Sequence, residues 1–330
     1  MLIDSFNRRV KDLRVSVTDR CNFRCFYCDP DPAPCTSGDP NLLTFDEIHF
    51  LCDVFVSLGI EKIRLTGGEP MVRKGLDLLV AGLSSLKRHG LQELAMITNG
   101  SNFATKAALL RSSGLNRVTF SLDSLKPGTF RSITGSDKLS DVLDSIEAAR
   151  SAGYPNIKVN AVIVRGRNDD EIVDLARFAR RNSLTVRFIE FMPLDSGRIW
   201  DRKHLVPATE IWETINSAFP IVLINPSRKG ETAWRYRFAD GTGGEIGLIA
   251  SVTDAFCGDC SRIRLTADGQ VRTCLFSTQE YDVRELLRSG GSRSEVTELI
   301  RFAVARKEYG HKMGSSTFTN PSRPMSSIGG

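Results

Sequence analysis

Nothing in this 330-residue sequence approaches the ~18 successive apolar residues of a membrane span, and its start, MLIDSFNRRVKDL, lacks the apolar segment of a secretory leader. A soluble cytoplasmic chain with no membrane partner is the expectation. Aromatic residues are few, at 8%, and the basic excess is small, +5 at pH 7, spread along the chain rather than gathered in a tail. Gripping nucleic acid calls for a concentrated basic patch with stacking aromatics, so no nucleic-acid partner is expected. An isoelectric point of 8.8 suits an anionic small molecule just as well. Low-complexity tracts are missing too, as is any repeat beyond an alternation of strand and helix signals. What is present is a globular balance, 41% apolar and 25% charged, with room for one large domain and a smaller one. There are also eight cysteines. With no leader to take them to an oxidising compartment, they point to metal binding or catalysis rather than disulfides.

Short β-rich runs alternate with helical ones from residue 12 to about residue 192. The pattern predicts strands over Asp12–Thr18, Lys62–Thr66, Leu94–Thr98, Arg117–Leu122, Ile157–Val164 and Thr185–Phe191. Helices are predicted over Phe45–Leu58, Gly75–Arg88, Lys106–Ser112, Leu139–Ala152 and Asp169–Arg181. The first has Thr44 and Glu47 in capping-box spacing and stops at Gly59. Six strand-then-helix units imply a parallel α/β sheet with right-handed crossovers, open or curled, and too few strands to close an eight-stranded barrel. Either way, chemistry collects at the carboxyl ends of the strands. From residue 193 to residue 330 the pattern changes to a loop, a helix near Thr209–Phe219, and hairpin signals. One hairpin turns at Asp268-Gly269 between SRIRLT and QVRTCLF. Two short helices between Tyr281 and Arg306 and a tail rich in Ser, Pro and Gly complete the chain.

Cys21, Cys25 and Cys28 form C-x3-C-x2-C in the loop after the first strand. A [4Fe-4S] cluster wants four thiolates. Three leave one iron free for an outside ligand, which in radical chemistry is the amino and carboxylate end of S-adenosylmethionine (SAM). The alternative is zinc or ordinary packing, but zinc sites favour C-x2-C pairs with a fourth ligand, and the nearest histidine, His49, falls on a predicted helix. Tyr27, inside the motif, suits either core packing or contact with an adenine ring. Cys257, Cys260 and Cys274 form a second triad, C-x2-C-x13-C, whose third member returns along the hairpin. Zinc is again the alternative, with His311 as its downstream candidate ligand. Arg262 and Arg264 alternate on one strand and so share a face. That pair suits a polyphosphate or, equally, a solvated surface.

CNFRCFYC matches the radical-SAM signature, and Thr66-Gly67-Gly68-Glu69-Pro70 at the end of the second strand resembles the glycine-rich loop this superfamily lays against the amino group of SAM. Together with the carboxyl-terminal triad and the Arg-x-Arg that follows Cys260, the chain from Asp12 to Gly330 resembles the molybdenum cofactor biosynthesis protein A family, the GTP 3′,8-cyclases.

The resemblance implies an incomplete (βα)6 TIM-like barrel over residues 1–192. A carboxyl-terminal α+β domain, residues 193–330, would cover its lateral opening. It implies two [4Fe-4S] clusters, on Cys21, Cys25 and Cys28 and on Cys257, Cys260 and Cys274, with Tyr27, Gly68, Glu69, Ser121 and Met192 at SAM. It places Arg14, Arg64, Thr98, Lys158, Arg187, Arg262, Ile263 and Arg264 at GTP, with Arg262 and Arg264 also as the catalytic pair. The reaction implied is conversion of GTP to (8S)-3′,8-cyclo-7,8-dihydroguanosine 5′-triphosphate. A reducing electron donor, a downstream cyclic pyranopterin monophosphate synthase and a homodimer are the implied partners. Read singly, Thr98 and Ser121 fit ordinary strand-end hydrogen bonding, and Met192 fits the core. The diglycine tail resembles one that threads toward the active site. Two departures stand out: Asp29-Pro30 replaces a common Met-Pro, and an extra Cys35 precedes Thr44. Cys35 and Cys52 are read as non-ligands. A peptide-modifying radical-SAM enzyme would have no use for Lys158, Arg262 and Arg264, and a zinc-stabilised nucleic-acid binder would have no affinity for SAM.

Overall fold

The computed structural model describes residues 1–29, 40–194, 200–225, 230–311, 313, 318, 320–321 and 323–329. Cys35, Pro30 and Gly330 lie outside the described residues.

Six parallel strands form the frame: β1 (Asp12–Ser16), β2 (Lys62–Thr66), β3 (Glu93–Thr98), β4 (Arg117–Ser121), β5 (Lys158–Ile163) and β6 (Thr185–Glu190). Their alternation decides what faces where. Leu13 and Val15, Ile63 and Leu65, Leu94 and Met96, Val118 and Phe120, Val159 and Ala161, and Val186 and Phe188 lie fully or almost fully buried in the core. The intervening residues, among them Arg14, Arg64, Ser121, Asn160 and Arg187, line a central cavity. A closed (βα)8 barrel fills its interior with branched apolar side chains, whereas this one leaves an open cavity lined by both polar and apolar side chains.

The helices follow from local signals. Phe45–Ser57 opens with a complete capping box, in which Thr44 Oγ1 accepts from Glu47 N and Thr44 N donates to Glu47. The predicted helix over Gly75–Arg88 is α-helical only over Leu76–Ser84 and tightens to a 3-10 turn over Ser85–His89. Pro127–Thr134 is a helix that the sequence pattern did not single out, because its eight residues, opening Pro-Gly, offer too little periodicity.

The carboxyl-terminal strands are β7 (Ile221–Leu223), β8 (Trp234–Phe238), β9 (Glu245–Ile249), β10 (Arg262–Leu265), β11 (Gln270–Arg272) and β12 (Tyr281–Asp282). They join the same sheet, whose order is β12-β11-β10-β1-β2-β3-β4-β5-β6-β9-β8-β7. The expected hairpin at Asp268-Gly269 is there as β10 and β11. Its first strand also pairs in parallel with β1, while β9 pairs in parallel with β6. The carboxyl-terminal α+β portion of this partial barrel therefore occupies both open edges of the six strands. No described helix is long and apolar enough to cross a membrane.

Candidate active site

The first triad sits where β1 ends. Backbone bonds fix the loop: Cys28 N donates to Cys25 O at 3.0 Å, while Arg24 N and Phe26 N donate to Thr134 O and Ile133 O at the end of helix Pro127–Thr134. The TGGEP loop is locked against it. Gly68 N donates to Thr18 O at 2.8 Å and Glu69 N to Arg20 O at 2.7 Å. A Cβ at Gly67 would lie 2.2 Å from Thr18 O and one at Gly68 2.1 Å from Arg20 O, so only glycine permits this approach.

Glu69 is almost fully buried, and burial pushes its carboxyl up to about 7. It accepts from Thr98 Oγ1 at 2.7 Å, Asn99 N at 2.6 Å and Met71 N at 2.9 Å. Its role in the structure is to bind β3's end to the glycine loop, and Thr98 is part of that bond.

One cavity takes in both triads, along with Tyr27, Gly68, Glu69, Thr98, Ser121 and Met192. Cys257 and Cys260 bracket a single 3-10 turn, and Cys274 follows β11. Among the described residues no three histidine, cysteine or carboxylate ligands converge as they would on a single metal ion. A four-iron cluster asks for something different, one thiolate on each of several irons, and separated thiols around one cavity meet that. Burial raises the Cys25 and Cys28 thiols, and the neighbouring thiols raise them further. Two thiols that resist ionising side by side gain from a cationic centre between them. In the second triad burial opposes ionisation of Cys260, but Arg262 and then Lys307 bring it down to about 6. Arg262 Nη2 lies 3.7 Å from Cys260 Sγ, and its guanidinium sits over the Phe256 ring. Cys52 is buried in the core and does not line the cavity.

The interior is strongly cationic. Register aligns Arg264, Arg14 and Arg64 across β10, β1 and β2, and Asn160 with Arg187 across β5 and β6. A second cavity, at the amino ends of the strands, is lined by Lys158, Arg117, Arg235 and Glu93. It meets the first at Arg14, Arg64, Arg187 and Arg262. Burial and the neighbouring arginines depress Arg14, Arg64, Arg264 and Arg187, the last two to about 9, and Lys158 falls to about 6. Like charges aligned on adjacent strands destabilise one another, so this arrangement gains most from a polyanion. Ile263 differs from its neighbours: its side chain is fully buried in the core, so only its backbone can reach the site.

Arg264 Nη1 donates to Gly329 O, and a Cβ at Gly329 would lie 2.4 Å from Ser16 Oγ and 2.6 Å from Thr66 Oγ1. The tail therefore reaches the ends of β1 and β2.

Three lining residues escaped sequence reasoning. Asp123 accepts from Tyr27 Oη at 2.6 Å and from Val162 N at 2.8 Å. Asn99 donates to Asn22 Oδ1 at 2.8 Å and lies 3.9 Å from Cys21 Sγ. Asn160 Oδ1 is buried without a partner. Asp123 had a signal, a carboxylate two residues beyond a strand end.

Residues 15–179 match the Radical SAM superfamily, and residues 184–313 match Molybdenum Cofactor Synthesis C. The chain is 44% identical to the GTP 3′,8-cyclase of Streptomyces coelicolor, across 100% of this chain and 96% of that one. It is 43% identical to the mitochondrial GTP 3′,8-cyclase of Arabidopsis thaliana, across 100% and 84%. Among solved structures, Streptococcus suis SuiB aligns over 92% of this chain and 67% of its own with a TM-score of 0.62 at 12% identity, a likeness of fold. With two domains in sequence and full-length relatives above 40% identity, this chain belongs to the GTP 3′,8-cyclases of the radical SAM superfamily.

Proposed function

We propose that this chain converts GTP to (8S)-3′,8-cyclo-7,8-dihydroguanosine 5′-triphosphate in molybdenum cofactor biosynthesis. The observation that carries the reading is one interior lined by two cysteine triads and by a belt of half-buried cations. Cys21, Cys25 and Cys28 would hold one [4Fe-4S] cluster and Cys257, Cys260 and Cys274 a second. With SAM bound, the first would supply the carbon-centred radical chemistry that the reaction calls for.

The chain's own residues do the rest. Arg14, Arg64, Arg187 and Lys158 take the triphosphate, each guanidinium offering paired donors to phosphate oxygens. Arg262 and Arg264 extend that grip toward the second triad. Asn160 stands between the cationic end and the SAM end, where its free Oδ1 can accept from a hydroxyl of the sugar. Phe23, Tyr27, Ile97, Val162, Ile189 and Met192 line the upper cavity with apolar surface that excludes water from the reacting carbon. Gly68 and the backbone around it would offer the close approach that SAM's amino group needs, with Ser121 and Met192 lining the same cavity.

A cytoplasmic location, a homodimer, a reducing electron donor and a cyclic pyranopterin monophosphate synthase acting on the product belong to the same reading. The test is anaerobic incubation of the reconstituted protein with SAM, a reductant and GTP. The reading expects 5′-deoxyadenosine and the cyclised nucleotide in step, both dependent on GTP. Deoxyadenosine appearing equally without GTP would remove GTP as the substrate.

A further inference from the structure

Residues 307–310 follow the helix Arg293–Ala305 and carry no recognised motif, yet they bind both loops of the second cysteine triad. Lys307 is 3% exposed, and its ammonium donates to Thr273 O, the carbonyl just before Cys274. The Glu308 carboxylate accepts from Thr273 Oγ1 at 2.6 Å and Ser277 Oγ at 2.7 Å, on either side of that cysteine. Gly310 lies against Cys257, where a Cβ would come within 2.8 Å of the cysteine Cβ and 3.1 Å of its sulfur.

The amino terminus closes the brace. Arg8, 8% exposed and paired with Asp4 at 2.6 Å, donates to Cys257 O at 2.6 Å, Glu308 O at 2.6 Å and Tyr309 O at 2.5 Å. One buried guanidinium thus ties the first cysteine loop to the segment that holds the second. A buried ammonium is costly unless an anion stands near. Beside Lys307 the groups that can carry negative charge are the thiols and the Glu308 carboxylate, which Thr273 Oγ1 and Ser277 Oγ already engage.

Three thiolates on an iron-sulfur core carry net negative charge, and their surroundings tune its reduction through charge and hydrogen bonding. We propose that Lys307 is the electrostatic partner of the second cluster, and that Glu308 and Arg8 fix its segment against both cysteine loops. This rests on the two-cluster reading given above. Reduction adds negative charge, so a fixed cation nearby favours it and removing that cation hinders it. Lys307 acts through the cysteines and is a positioning residue rather than a catalytic one.

The test uses full-length protein reconstituted without oxygen: wild type, Lys307→Met and Lys307→Arg. Iron and sulfide are counted per chain, and each cluster's reduction is followed by electron paramagnetic resonance during a potential titration. In Lys307→Met the first cluster should keep its signal while the second becomes harder to reduce or alone sheds its iron. Lys307→Arg should restore it. Full iron with an unshifted second signal in Lys307→Met overturns the proposal, as does equal loss of both clusters. Wild type holding about four irons per chain instead of about eight would defeat the two-cluster reading itself, a result seen before any variant is made.

Discussion

Lys158 shows how one residue reports on the whole site. Burial first, then Arg187 and the other arginines, hold its ammonium down to about 6, so near neutral pH it is largely uncharged in the free protein. A bound triphosphate restores a favourable field and raises that value, so binding takes up a proton. Affinity for GTP should therefore fall as pH rises above about 6, by at most about tenfold per unit. Isothermal titration in buffers of different ionisation enthalpy would detect the uptake, and Lys158→Met should abolish it along with the slope. Lys158, Arg14, Arg64 and Arg187 were legible only through the family resemblance, which the positions of the two cysteine motifs and the TGGEP loop anchor to this sequence. Asn99, one residue beyond β3, had no periodic signal, and Asn160 was missed since a polar residue facing a barrel interior alternates in sequence just as one facing water does. Only closure of the sheet distinguishes the two.

At the scale of elements, the loop after β2 is the least forgiving. Gly68→Ala would drive a methyl group to within 2.1 Å of Arg20 O. The expected cost is roughly 1–3 kcal/mol, seen as a lower unfolding temperature. SAM affinity should fall with it, because in the proposed reading the displaced backbone is the wall that SAM meets. A variant unfolding like wild type and binding SAM equally would mean that the two loops are not locked together. The six strands were legible because alternation and capping are local: Thr44 and Glu47 announced the helix they cap. The amino-terminal pairing of Leu2–Ile3 with Arg9–Val10 was not legible, as two-residue strands carry no period.

For the molecule as a whole, the sheet has no boundary at residue 192. Leu13 and Val15 of β1 face Ile263 and Leu265 in register, and β6 is flanked by β9. The first pairing joins residues 250 apart along the chain and the second residues 60 apart, separations that no local pattern reveals. A chain cut after residue 192 would expose two unpaired parallel edges. It should aggregate in sedimentation experiments, whereas the full chain should not. A soluble, folded fragment would show that the barrel half is independent after all.

The central claim is that the sugar of GTP lies between the cationic belt and the radical source, with its 3′ carbon presented to SAM. GTP carrying deuterium at the 3′ carbon, turned over without oxygen and analysed by mass spectrometry, tests it directly. The account predicts deuterium in the 5′-deoxyadenosine that forms. Deoxyadenosine that stays free of deuterium while the labelled GTP is consumed would contradict it.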